Sequence, residues 1–202
     1  MPGLQPPTKT ALLALAPYPG IALSSVRLPR SDAALAEAMA DLGAQTHIGF
    51  DTEARPIFSK GQESTGPDVV QFATATTAYV LQLQHPGCEA LARSLLTLHS
   101  VVKVGFDLQQ DLAQLRRRLG TEVAPLLDLT RAFHRMGYPR TLGIRSAVAV
   151  VFGQRFVKSK RVTTSNWSHQ TLDPRQLLYA ANDAYVALQV LLALQRQGTP
   201  LA

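Results

Sequence analysis

The chain has 202 residues, 46% hydrophobic and 17% charged, with a formal net charge of +6. That is enough for one full domain and short for two, and the composition excludes a disordered or fibrous chain. Cys88 is the only cysteine, which excludes an internal disulfide or a cysteine-based zinc site and fits a reducing compartment.

The charge is unevenly spread. No acidic residue lies between Asp128 and Asp173, whereas Arg131, Arg135, Arg140, Arg145, Arg155, Lys158, Lys160 and Arg161 all do. A run of one sign over that length points to a polyanionic partner. Aromatics make up only 6% of the chain, so a broad stacking platform is not expected. Trp167, Phe152, Phe156 and Tyr138 are the candidates for local stacking, with core packing as the alternative.

Residues 1–20 hold several prolines and the short run Ala11-Leu12-Leu13-Ala14-Leu15-Ala16, with one lysine ahead of it and no convincing cleavage pattern. This reads as an arm, flexible or docked, and not as a secretory signal. The longer apolar stretches are broken by polar residues or proline, so no membrane partner is expected and a cytoplasmic location is. A first strand is expected over 21–28. A helix over 33–42 follows, capped by Ser31 or Asp32. The segment His47-Ile48-Gly49-Phe50-Asp51-Thr52-Glu53 reads as a buried strand. A polar loop over 53–68, with Lys60, Gly61 and Gly66, leads to a hairpin of 69–75 and 78–83 split by Thr76-Thr77.

A helix over 88–99, a short strand over 101–106 and a helix over 107–119 come next. Asp107 is the expected N-cap of that helix, and Arg116, Arg117 and Arg118 complement its C-terminal dipole. One more short strand is expected over 126–129, then mostly helix. The last helix has the clearest start: Asp173 as N-cap, Pro174 first, and Gln176 at capping-box spacing. The sum is α/β, a mixed central sheet flanked by helices, in one domain over 21–198 with residues 1–20 as its arm.

Asp51 and Glu53 carry the first chemical signal. Alternation on a strand puts both carboxylates on one face, about 6–7 Å apart, where they repel. A hard divalent cation such as Mg²⁺ or Mn²⁺ removes the conflict, although an acidic pair at a strand end can also be a solvated loop start. Asp111 falls in the first turns of the helix after a strand and has no capping role there, unlike Asp107. Tyr179 and Asp183, four apart, share one face of a largely apolar helix, where a carboxylate needs a cation. Lys158, Ser159, Lys160 and Arg161, followed by Asn166 and Trp167 in Ser165-Asn166-Trp167-Ser168, are candidates to hold a phosphate backbone.

Four carboxylates and a tyrosine from separated segments match two-metal phosphodiester hydrolysis, in which cations about 3.5–4 Å apart activate water and stabilise the leaving oxygen. In that scheme Asp51 bridges both ions, Glu53 and Asp183 complete one site, Asp111 serves the other, and Tyr179 orients the water.

The run Gly49-Phe50-Asp51-Thr52-Glu53, the segment around Asp111 and the pair Tyr179 and Asp183 resemble the three exonuclease motifs of the DEDD superfamily, tyrosine subtype. The stretch 49–83, and Ser165-Asn166-Trp167-Ser168 leading into 178–185, are similar to the exonuclease domain of the Werner syndrome helicase. Ribonuclease D catalytic domains come next. The resemblance covers about residues 20 to 197 and implies a ribonuclease H-like fold. It also implies a Mg²⁺- or Mn²⁺-dependent 3′–5′ exonuclease that releases nucleoside 5′-monophosphates. DNA is the favoured substrate. A 3′ exoribonuclease is the alternative, and a catalytically silent nucleic-acid-binding module the third reading.

Overall fold

In the computed structural model, which describes residues 4–56 and 66–199, the chain is organised by its second strand and its last helix. Strand β2 (His47–Glu53) lies between β3 (Val69–Ala73) and β5 (Val102–Gly105). Adding β1 (Val26–Arg27), β4 (Ala78–Gln82) and β6 (Leu126–Asp128) gives a six-stranded sheet of order β1-β4-β3-β2-β5-β6. The β2–β3 and β3–β4 pairs are antiparallel and the rest parallel, so the sheet is mixed as expected.

Period-two alternation divides β2 between two cores. Ile48 and Phe50 join Val70, Phe72 and Leu81 in an apolar layer. That layer is closed by α2 (Asp32–Gly43), α3 (Pro86–Thr97) and α4 (Gln109–Leu119). On the opposite face, Val69, Ala73 and Val80 pack on Ala180, Ala181 and Ala184 of α8 (Pro174–Arg196). Further along, Val104 meets α8 together with α5 (Leu129–Arg135) and α6 (Ile144–Phe152). Gly49 is the point of closest approach: a Cβ there would collide with the carbonyl of Ala184. Helix α8 is 23 residues long and apolar enough to cross a bilayer, but 61% of that stretch is buried inside the fold, so its apolar surface serves the core. Its N-terminus carries the expected capping box of Asp173 and Gln176.

Several boundaries differ from the sequence reading. The first strand is only two residues, because a 3₁₀ turn at Leu23–Ser25 takes up the preceding chain. Helix α4 starts at Gln109, and Asp107 is not its N-cap. Asp107 instead has a left-handed φ of 53°, and its backbone N–H donates to Asp128 and Thr130. The loop region around Lys60 and Gly61 lies in 57–65, outside the described residues. The arm is docked over residues 4–20. It contains α1 (Lys9–Ala14), a bridge between Pro17 and Arg155, and Tyr18 packed on Phe152 with ring centroids 5.1 Å apart.

Candidate active site

The end of β2 and one face of α8 meet in an acidic cleft. Ligand atoms of Asp51, Glu53 and Asp183 all lie within 4.8 Å of one another. The alternation on β2 puts Asp51 and Glu53 on the same side as Gly49, the side that α8 covers, and the contact at Gly49 draws Asp183 down beside them. Asp111 stands just outside this trio. Its carboxylate accepts a short hydrogen bond from the Thr52 hydroxyl, while Asp51 accepts from the Thr52 backbone N–H at 2.9 Å. Thr52 therefore links the two carboxylates across the strand end.

The electrostatics are strained. Withdrawal from water raises the Asp51 carboxyl well above its usual range, and Asp111 and Asp183 push it further. Burial does the same to Glu53, with Asp51 and Asp183 adding to it. Burial also raises Asp111, against the hydrogen bond from Thr52. Asp183 is raised by burial although Lys158 opposes it. Neither Asp183 oxygen has a well-formed hydrogen bond. Its partner is Lys158, whose Nζ is 2.7 Å from Oδ2. Burial pulls the Lys158 ammonium down, but Asp183 and Asp51 outweigh it and hold the group above the ordinary lysine range.

Among the described residues, three clustered carboxylates, a fourth beside them and the Lys158 ammonium leave an excess of negative charge in a confined space. Such a set of hard oxygen donors with unfilled lone pairs fits a divalent cation. Tyr179 lies one turn before Asp183. Its hydroxyl is 2.7 Å from Thr163 Oγ1, its ring is 5.9 Å from that of Trp167, and Lys158 Nζ sits 4.9 Å from its centroid. Burial and the neighbouring Asp183 raise the phenol.

A cleft of about 380 Å³ runs from these groups along the start of α8, lined by Lys158, Ser159, Arg161, Arg175 and Tyr179 among others. The expected nucleic-acid contacts divide here. Lys158, Ser159 and Arg161 border the cleft. Lys160 is exposed on the short α7 (Lys160–Thr163) but does not line it. Asn166 shapes a turn, its side chain accepting from the Ser168 N–H at 3.0 Å and hydroxyl at 2.7 Å. Trp167 is a correction: at 1% exposure its ring has no face for a base, and its indole N–H donates to the Thr163 carbonyl. It supports Tyr179 from behind. Gln71 was not anticipated. It pairs with Asp51 across the β2–β3 ladder, and its fully buried amide makes no hydrogen bond among the described residues. A lone glutamine in an apolar strand is its only trace in the sequence.

A family profile described as 3′-5′ exonuclease matches residues 26–199. The chain therefore belongs to the 3′–5′ exonuclease family of the DEDD type, a class of nuclease hydrolases that use divalent metals. It is 28% identical over 143 residues to the bifunctional 3′-5′ exonuclease/ATP-dependent helicase WRN of Mus musculus, covering 70% of this chain and 10% of that protein. It is 30% identical over 138 residues to ribonuclease D of Xanthomonas oryzae, covering 67% of this chain and 36% of that one. The chain thus spans well under half the length of either relative. The EXO domain of Aedes aegypti Nibbler has the same fold, with a TM-score of 0.73 at 22% identity, covering 88% of this chain and 90% of that one.

Proposed function

We propose that residues 21–198 form a 3′–5′ exonuclease domain, with residues 1–20 as its arm. It hydrolyses phosphodiester bonds, DNA in preference to RNA, and releases nucleoside 5′-monophosphates in a reducing, cytoplasmic setting. The observation that carries this reading is the convergence of Asp51, Glu53 and Asp183 within 4.8 Å, from two distant segments, with Asp111 tied to them through Thr52.

In this reading Asp51, Glu53, Asp183 and Asp111 would together hold the Mg²⁺ or Mn²⁺ ions. Two such ions supply an acidified water and stabilise charge on the scissile phosphate and leaving oxygen. The chain does the rest. The Tyr179 hydroxyl, steadied by Thr163, orients the attacking water. Lys158 stays cationic and offsets the carboxylate charge from inside the cleft. Ser159, Arg161 and Arg175 line the path along which the phosphate backbone approaches.

The test is one degradation assay on end-labelled single-stranded DNA, recessed-end duplex and RNA, each with Mg²⁺, Mn²⁺ or chelator. Stepwise shortening from the 3′ end that chelator abolishes is expected, fastest on DNA. Faster trimming of RNA would transfer the enzyme to the exoribonuclease alternative. Undiminished cleavage in chelator would reject the metal reading.

A further inference from the structure

A second groove, of about 360 Å³, adjoins the acidic cleft, between helix α1 of the arm and the segment that enters Lys158. Leu12 and Leu13 of α1 and Val157 line it together with Lys9, Arg145 and Arg155. The two spaces are neighbours and share Phe156, Val157 and Lys158 in their linings. Among the described residues, no carboxylate lines the second groove.

Two observations set this groove apart. Leu13 is 61% exposed and Val157 62%, two of the four large hydrophobic side chains left exposed among the described residues. Exposed apolar surface gathered in a concave site and ringed by cations is the pattern of a binding surface, since neither contributes to folding where it stands. The arm is also held firmly in place. Arg155 N–H donates to the Ala16 carbonyl at 2.8 Å, Tyr18 N–H to the Arg155 carbonyl at 2.9 Å, and the Arg155 guanidinium to the Leu13 carbonyl at 3.1 Å. Further along, the side-chain oxygen of Asn182 on α8 accepts from Ile21 N–H at 2.9 Å. The wall is thus part of the folded molecule. It lies outside the residues matched to the exonuclease family, 26–199.

We propose that this groove is a nucleotide subsite built jointly by the arm and the exonuclease domain. A base of the bound strand, beyond the nucleotide being removed, packs against Leu12, Leu13 and Val157, and its phosphate meets Lys9 or Arg145. A nucleic-acid strand is the occupant because it alternates flat apolar faces with negative charges, which matches apolar side chains set among cations. The shared border at Phe156, Val157 and Lys158 sets this groove beside the cleft through which a strand reaches Asp183. The inference rests on the exonuclease reading.

The experiment compares Lys9→Glu and Leu13→Asp with the unaltered chain in Mn²⁺, measuring kcat/KM on a dinucleotide and on a single-stranded decanucleotide. Leu23→Asp, at a leucine 42% exposed outside the groove, is the control. Both groove variants are expected to reduce the advantage of the longer strand by about fivefold or more, mainly through KM, and the control to leave it unchanged. A photoactivatable base placed upstream of the 3′ end is expected to cross-link to residues 9–13, a readout independent of turnover. An unchanged length advantage would overturn the subsite. So would an equal loss on the dinucleotide, which would assign the groove to the departing nucleotide, or an equal loss in Leu23→Asp, which would mark a folding effect. If the unaltered chain cleaved neither strand, the parent exonuclease reading would fail first, and visibly so.

Discussion

Two buried charged centres lie on adjacent strands and have opposite fates. On β5, Lys103 is fully buried, and its ammonium donates to the carbonyls of Leu98, Val101 and Ala124 at 3.0, 2.9 and 2.7 Å. On β2 and α8, Asp51, Glu53 and Asp183 crowd together with one lysine to answer them. Lys103 has every donor satisfied by backbone and points at nothing that could bind. The carboxylates have lone pairs to spare and open onto a cleft. Burial alone does not mark a functional group; burial with too few internal partners for the charge does.

That contrast can be broken most sharply at Asp51. Asp51→Asn is expected to lower kcat on an end-labelled oligonucleotide by about a thousandfold or more while the protein stays folded. In chelator its melting temperature should equal or exceed that of the unaltered chain, because one member of a repelling set has lost its charge. Added Mn²⁺ should stabilise the unaltered chain by about 2–3 kcal/mol at a hundredfold excess over its dissociation constant, and Asp51→Asn far less. A Mn²⁺ shift of equal size in both would detach Asp51 from metal binding.

Lys103→Met is expected to do the reverse. It strands three carbonyls and should cost about 2–4 kcal/mol in denaturant unfolding, with kcat and the Mn²⁺ shift intact. A loss of turnover in the folded variant would make Lys103 more than structural. Tyr179→Phe should slow turnover by about ten- to a hundredfold without altering the Mn²⁺ shift, since the phenol orients water and is not a ligand in the proposed scheme. An unchanged rate would remove the phenol from the mechanism.

The smallest effect is the pH dependence of Lys103. Burial pushes its ammonium down to about 8, below the unfolded value of about 10.4. Between those two values the unfolded chain binds more protons than the folded one, so this group's contribution to stability rises with pH. Chemical denaturation at pH 8, 9 and 10 should show the unaltered chain gaining on Lys103→Met. A flat difference would mean that the three carbonyls hold the pKa near its unfolded value.

Much of this arrangement was legible in the sequence, for identifiable reasons. The β3–β4 hairpin and α8 declare themselves through local rules, a turn between two β-rich runs and a complete capping box. The acidic positions declare themselves through spacing, two apart on a strand and four from a tyrosine on a helix. What local rules could not give is direction. Eight cations share the stretch after Asp128, and nothing in their order says that Lys158 turns inward onto Asp183 while Lys160 faces water. Asp107 looked like a cap because of its residue type, but tertiary hydrogen bonds to Asp128 and Thr130 fix it in a left-handed turn. Trp167 looked like a stacking surface until the core behind Tyr179 claimed it.

The absent side chain at Gly49 has a bearing on chemistry that no polar group shares. Because α8 rests directly on the strand backbone at that point, the gap between the two halves of the acidic set is gauged by main-chain contact and not by adjustable side chains. A methyl group at position 49 would act as a shim, lifting Asp183 away from Asp51 and Glu53 without changing any of the acidic residues themselves. Precision at the cleft floor is therefore set by a residue with no side chain to donate or accept.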